Sequence, residues 1–279
     1  MALLKIKTFS KTLLTKTDIQ VILPTPLTSE IMSGAMSGQF ERGTDSAQDQ
    51  ISLDYYSDSF RCPVLYLLHG TYGDDGDWLR FSRIESYAQE YNIAVIMPDA
   101  ENSCYRNMPR GGPKYYDYFT EELPKMMRWM FPISRRREDT FVAGLSMGAN
   151  GAFYVGMSKP ELFSHVACMS GGYLSLNQRS ATDDSVWSMA FKPGEKVDET
   201  DEDSYWLASH LVKDNIDYPK LYLCCGTEDF VYNDNMKFKK HLDKVGFSHI
   251  YHEQPGVHNW DFWDDEIKRI LQWLPINRR

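Results

Sequence analysis

The stretch Thr140-Phe-Val-Ala-Gly-Leu-Ser-Met-Gly-Ala-Asn150 decides how the rest of this chain reads. β-branched and aromatic residues open it and favour a strand, and the run that begins at Met147 has the composition of a helix. Between them lies Gly144-Leu145-Ser146-Met147-Gly148, a G-x-S-x-G turn. Such a turn holds its serine in a strained backbone conformation, needs small neighbours, and aims Oγ out of the end of a sheet beside a helix N-terminus. As a bare pattern it arises readily by chance. Strand, sharp turn and helix in that order make Ser146 a candidate nucleophile.

On either side of this stretch, short apolar runs alternate with longer amphipathic segments. That alternation predicts an α/β class fold with a mainly parallel sheet and helices on both of its faces. Central strands are expected at 64–68, 94–97, 140–144, 166–169 and 221–225, with a last one at 249–253. Helices are expected at 77–91, 116–130, 147–159, 204–212, 233–244 and 261–273. In the last of these, Ile267, Ile270, Leu271 and Leu274 recur at three- and four-residue intervals and mark one buried face. Two earlier runs, 4–9 and 18–23, read as an antiparallel start to the sheet. Residues 24–60, rich in Ser, Gly, Thr and Asp, read as a long loop. Residues 171–210 read as a cap or lid insertion, in which Asp198, Glu199, Asp201, Glu202 and Asp203 suit the start of the next helix. The chain has 279 residues, a length that fits one α/β domain over 1–279.

A serine is a poor nucleophile near neutral pH unless a base takes its proton, and that base needs a carboxylate to orient it. In α/β-hydrolases the partners follow the serine, the acid after a late strand and the histidine after the last one. Leu221-Tyr-Leu-Cys-Cys-Gly-Thr-Glu-Asp229 is a strand ending in a glycine turn and a carboxylate. Asp229 is the candidate acid, with Glu228 and Asp234 as rivals. Tyr251-His-Glu-Gln-Pro-Gly-Val-His258 runs from a strand into a loop, so His258 is the candidate base ahead of His252 and His249, which fall inside or at the start of the strand. His165, His210 and His241 lie on a strand edge or on helices and have no matching context. The oxyanion of a tetrahedral intermediate needs two preorganised N–H donors. Met147, directly after the nucleophile, offers one backbone N–H. Thr71, in the loop His69-Gly-Thr-Tyr-Gly73, offers the other, with Tyr72 as the alternative and His69 bracing the loop.

No H-E-x-x-H, paired C-x-x-C or P-loop pattern occurs, so the expected chemistry calls on no metal and no cofactor. Thirty basic against thirty-nine acidic residues give a net charge of -9, which disfavours nucleic acid and anionic lipid as partners. The run Arg135, Arg136, Arg137 is neutralised by Glu138 and Asp139 and reads as a solvated corner. No apolar run is long enough to span a membrane or to serve as a signal core. The five cysteines are scattered and partly inside strand-like runs, which reads as buried thiols in a cytoplasmic protein.

These residues resemble the putative-esterase group of the α/β-hydrolases, which holds tributyrin, acetyl and feruloyl esterases and the esterase D or S-formylglutathione hydrolases. The resemblance is closest to the bacterial tributyrin esterases. It rests on Pro63-Val-Leu-Tyr-Leu-Leu-His-Gly70, Tyr115-Tyr-Asp-Tyr-Phe-Thr-Glu-Glu-Leu-Pro124, Ala143-Gly-Leu-Ser-Met-Gly148, Cys225-Gly-Thr-Glu-Asp-Phe230 and Gly256-Val-His-Asn-Trp-Asp-Phe-Trp263. Carried over by position, the resemblance implies a triad of Ser146, Asp229 and His258 with Thr71 and Met147 as oxyanion donors. The chain departs from the group in its longer 24–60 stretch and in the continuation of the nucleophile motif, Met147-Gly148-Ala149-Asn150, where many relatives have a further glycine. The expected activity is hydrolysis of short-chain acyl or feruloyl esters, free or carbohydrate-linked, with aromatics such as Tyr72, Tyr105, Trp187 and Trp260 near the mouth. An S-formylglutathione-type thioesterase, acyl transfer to an alcohol, and a binding protein that kept the fold are the alternatives. Members of the group often assemble, so a homo-oligomer is a further partner expectation.

Overall fold

The computed structural model of the chain describes residues 1–25, 57–173, 188–192, 195 and 197–276. Most of the 24–60 loop, the first part of the 171–210 insertion and Trp187 therefore lie outside the described residues.

Eight strands form one sheet in the order β1-β2-β4-β3-β5-β6-β7-β8. β1 (Ala2–Ser10) and β2 (Thr15–Leu23) pair antiparallel, and β2 runs antiparallel to β4 (Ala94–Pro98). From β4 onward the sheet is parallel, through β3 (Val64–Leu68), β5 (Thr140–Leu145), β6 (His165–Met169), β7 (Lys220–Gly226) and β8 (His249–Gln254). The parallel centre is buried on both faces, and its side chains alternate between two apolar layers. Leu65 and Leu67 of β3, Ala143 of β5 and Tyr222 and Cys224 of β7 face one layer, whereas Val64, Tyr66, Val142, Leu221 and Leu223 face the other. This period of two explains why the strands read as continuous apolar runs.

Helices α1 (Asp77–Phe81), α2 (Ile84–Glu90) and α8 (Trp260–Trp273) contribute to the first layer. Helices α3 (Tyr115–Asp117), α4 (Leu123–Met130), α5 (Met147–Ser158), α6 (Ser204–Lys213) and α7 (Tyr232–Val245) contribute to the second. Two expected helices are interrupted. The 77–91 segment breaks at Ser82, whose extended backbone ends α1 while its hydroxyl donates to the Trp78 carbonyl at 2.5 Å and accepts from the Ile84 N–H at 3.2 Å. A serine that competes with the backbone in this way divides a helix. In the 116–130 segment a π turn, Tyr118–Glu122, separates α3 from α4. Pro124 in the first turn of α4 has no N–H to return to the preceding turn, and the wider turn absorbs that mismatch. Among the described residues no helix is long and apolar enough to cross a membrane, and all five cysteines are free and buried.

Pairing registers bring the carboxyl ends of the central strands level. Leu68 lies opposite Gly144, Leu145 opposite Met169, Met169 opposite Cys224 and Gly226 opposite Gln254. The loops that follow these positions carry the candidate site, outside the carboxyl edge of the sheet as the general rule for such sheets requires.

Candidate active site

Ser146 directly follows β5 with φ 53° and ψ -115°, a conformation costly for a residue with a Cβ. Its N–H donates to the Met169 carbonyl at 2.9 Å, which ties the turn to the end of β6. The flanking glycines are required by close approach. A Cβ on Gly144 would stand 2.2 Å from the Gly148 oxygen, and one on Gly148 would stand 2.5 Å from the His69 oxygen. The turn therefore packs directly against the loop after β3.

His258 lies beyond β8, with Nε2 3.0 Å from the Ser146 Oγ and Nδ1 2.9 and 3.0 Å from the two Asp229 oxygens. An ionised carboxylate can only accept, so Nδ1 carries the proton, Nε2 is bare, and the Ser146 hydroxyl donates to it. The Asp229 side chain is fully buried. Burial pushes its carboxyl up, but hydrogen bonds from His258, the Val231 N–H and Ser170 outweigh that and hold it below the ordinary value. The imidazole is lined by Phe230, with ring centres 4.5 Å apart, and packs perpendicular to Trp263 at 4.9 Å.

The rivals are engaged elsewhere. Glu228 accepts the Gly256 N–H at 2.6 Å and steadies the loop that presents His258, and Asp234 pairs with Lys237 at 3.3 Å. His252 meets Glu266 at 2.9 Å, and His249 bonds the Phe247 carbonyl at 2.8 Å. His165 contacts Ser164, His210 faces Asp214, and His241 bonds Ser209 and the Tyr205 carbonyl.

In the loop after β3, His69 accepts the Ala100 N–H at Nε2 (2.9 Å) and donates from Nδ1 to the Gly70 carbonyl (2.7 Å), so the buried ring braces the loop. The Tyr72 N–H donates to Asn102 at 2.8 Å and is spoken for. The N–H groups of Thr71 and Met147 have no acceptor among the described residues, and both residues line the same cleft as the Ser146 hydroxyl. That cleft encloses about 580 Å³, and Tyr72, Phe230 and Trp260 form much of its apolar wall. The Tyr72 ring is 81% exposed at the rim.

Tyr105, expected near the mouth, belongs to the core. It is fully buried, its hydroxyl donates to the His69 carbonyl at 2.8 Å, and its ring packs where a Cβ on Gly151 would otherwise stand. Gly151, five residues after Ser146, is the signal in the sequence that another group comes close there. Phe230 and Trp263 escaped the sequence reading as site residues, although each closes a motif quoted for the resemblance. Among the described residues no group of His, Cys, Asp and Glu is arranged to hold a metal ion.

Comparison with known proteins places this geometry in company. The acetyl esterase of Caldicellulosiruptor saccharolyticus is 28% identical over 98% of each chain. The substrate-bound structure of fluorophosphonate-binding serine hydrolase F from Staphylococcus aureus superposes with a TM-score of 0.81 at 29% identity, again over 98% of both chains. An S-formylglutathione hydrolase from Staphylococcus aureus superposes at 0.79 with 29% identity and the same coverage. The family model described as putative esterase matches residues 50–274, from before β3 to the end of α8. The chain belongs to the putative esterase family and is an ester hydrolase.

Proposed function

We propose that the chain hydrolyses small, acetyl-type carboxylic esters through an acyl-serine intermediate, with Ser146 as nucleophile, His258 as base and acid, and Asp229 as the orienting carboxylate. The observation that carries this reading is the unbroken hydrogen-bonded series Asp229, His258, Ser146 opening onto an apolar cleft. Ser146 Oγ attacks the ester carbonyl carbon as its proton passes to His258 Nε2, and Asp229 stabilises the imidazolium that forms. The carbonyl oxygen becomes an oxyanion held by the Met147 and Thr71 N–H groups. Collapse breaks the bond to the alcohol oxygen, which leaves with the proton from His258. Water then gives a proton to His258, attacks the acyl-serine, and the second collapse returns that proton to Ser146 with release of the acid.

A cleft of about 580 Å³ takes a small acyl group with room for the alcohol, and its ring faces also suit an aromatic acyl group such as feruloyl. A thioester of the S-formylglutathione type is the second reading, favoured by the relative that bears that name at 29% identity. Side-by-side hydrolysis of an acetyl ester and S-formylglutathione separates the two. The usual mark of a non-catalytic binding protein on this fold is loss of the serine, the histidine or the elbow glycines, and Ser146, His258, Gly144 and Gly148 are all present. A fluorophosphonate probe is expected to label the wild type and not Ser146→Ala. Ser146→Ala and His258→Ala are expected to lose turnover by about a million-fold, and Asp229→Asn by roughly ten-thousand-fold. Equal labelling of Ser146→Ala, or retained turnover in His258→Ala, sinks the assignment.

A further inference from the structure

Ser170 directly follows β6, between the strand that carries Ser146 and the strand that leads to Asp229. It is fully buried, its φ is 51°, and its N–H donates to the Cys224 carbonyl at 2.8 Å. A glycine adopts that backbone without strain, so the side chain is what distinguishes a serine here.

Trp263 Nε1–H can only donate, and it points at Ser170 Oγ from 3.1 Å. The Asp229 carboxylate and the Cys225 sulfur lie beside the same hydroxyl, which helps to hold the carboxyl below its ordinary value. A hydroxyl has one hydrogen and two lone pairs, and an ionised carboxylate only accepts. The charged carboxylate is the stronger acceptor beside it, so the Ser170 hydrogen goes to Asp229 while a lone pair receives the Trp263 N–H. The same indole packs perpendicular to His258, with ring centres 4.9 Å apart at 86°.

We propose that Ser170 and Trp263 are positioning residues of the triad: Trp263 fixes the Ser170 hydroxyl, the hydroxyl locks the Asp229 carboxylate in line with Nδ1, and the indole packed perpendicular to the imidazole holds it over Ser146. This rests on the proposed roles of Ser146, Asp229 and His258. The groups that face Asp229 are His258, the Val231 N–H, Cys225 and Ser170; those that face the imidazole are Phe230, Trp263 and the Ser146 hydroxyl. Removing the hydroxyl leaves more negative charge on the carboxylate, which favours the protonated imidazole.

The test measures pH profiles of kcat and kcat/KM for Ser170→Ala, Ser170→Gly and Trp263→Phe, alongside thermal unfolding. Both Ser170 variants are expected to lose kcat by roughly 10- to 100-fold, the worth of a hydrogen bond to a charged group. KM is expected to stay near the wild-type value, and the acid limb of kcat/KM to move up by about half a unit or more. Ser170→Gly relieves the backbone, so it is expected to unfold no lower than Ser170→Ala while being equally impaired. A Ser170→Gly enzyme with wild-type kcat and an unmoved acid limb overturns the proposal. If neither Ser170 variant folds, Trp263→Phe decides, since it keeps a ring beside His258 and deletes only the donor: an unmoved limb overturns the proposal, and a raised one supports it. Retained turnover in Ser146→Ala would instead overturn the underlying reading of the site.

Discussion

At the scale of single residues, the elbow is a problem of space before it is one of chemistry. Ser146 reaches its strained φ of 53° because Gly144 and Gly148 let the helix start, the strand end and the loop after β3 approach to distances that no Cβ permits. A methyl on Gly148 meets two backbone oxygens, of His69 at 2.5 Å and of Leu68 at 2.6 Å, and backbone cannot rotate away as a flexible side chain can. Gly148→Ala must therefore push α5 off the β3 loop, and with it the Met147 N–H away from the Thr71 N–H. The expected outcome is a loss of about 1–3 kcal/mol in stability and a kcat/KM lower by more than tenfold, read by thermal unfolding and ester hydrolysis. An active, equally stable variant would show that the loop yields freely. This part of the site was legible in sequence because its signature is local: five consecutive residues carry the pattern, although the oxygens that require Gly148 come from Leu68 and His69. Ser170 was not legible, because nothing within several residues of it announces a hydroxyl shared between Asp229 and Trp263, both brought by other elements.

At the scale of elements, the outline of the sheet was legible and its helix interruptions were not. Apolar runs of strand length survive any error in register, whereas the break at Ser82 and the π turn before Pro124 depend on where one hydroxyl or one missing N–H falls within a turn. The segment leading into α6 holds a further surprise. Its acidic cluster does start the helix, with Asp203 accepting the Tyr205 N–H, but Glu202 and Glu195 are ion-paired with the buried Arg106. The same guanidinium donates to the Ala190 carbonyl and stacks on Phe191 at 4.1 Å. One side chain from the loop after β4 thus fastens the 188–203 segment to the body. Breaking a fully buried ion pair costs about 3–5 kcal/mol. About a quarter of each glutamate side chain stays in contact with water, so Arg106→Met should cost less, on the order of 2 kcal/mol. The expected consequence is local: limited proteolysis should cut within 188–203 in Arg106→Met well before it cuts elsewhere. A cleavage pattern identical to the wild type would show that the segment is held by its apolar contacts alone.

At the scale of the whole molecule, the parallel sheet separates chemistry from stability along its strands. β6 ends at Met169 beside the elbow and begins at His165, so the two ends of this strand stand about 13 Å apart at 3.3 Å per residue. His165 is buried between Phe141 and Trp273, and burial, reinforced by the charges of Lys220 and Arg137, pushes its pKa down to about 4. In the unfolded chain a histidine takes up its proton near pH 6.5. As the pH falls from about 6.5 to about 4, the unfolded state binds a proton that the folded state refuses, and stability is lost through that window. Above about 6.5 neither state is protonated there, and the contribution is complete. The loss is on the order of 3 kcal/mol. Carboxylates held below their ordinary values, such as Asp99, Glu122 and Asp229, add their own losses as the pH falls further. A substitution at His165 isolates the histidine from these. His165→Asn keeps a polar group for the Ser164 hydroxyl, which stands 2.9 Å from Nδ1, and gives up the ring packing, so it is expected to start less stable at pH 8. Between pH 6.5 and 4, however, its unfolding midpoint should fall more gently than that of the wild type, and its kcat/KM profile should be unchanged because the proposed triad lies at the other end of the sheet. Parallel curves for the two proteins across that window would show that His165 takes up its proton in the folded state near the ordinary pH, and that the acid sensitivity of the molecule resides in its carboxylates.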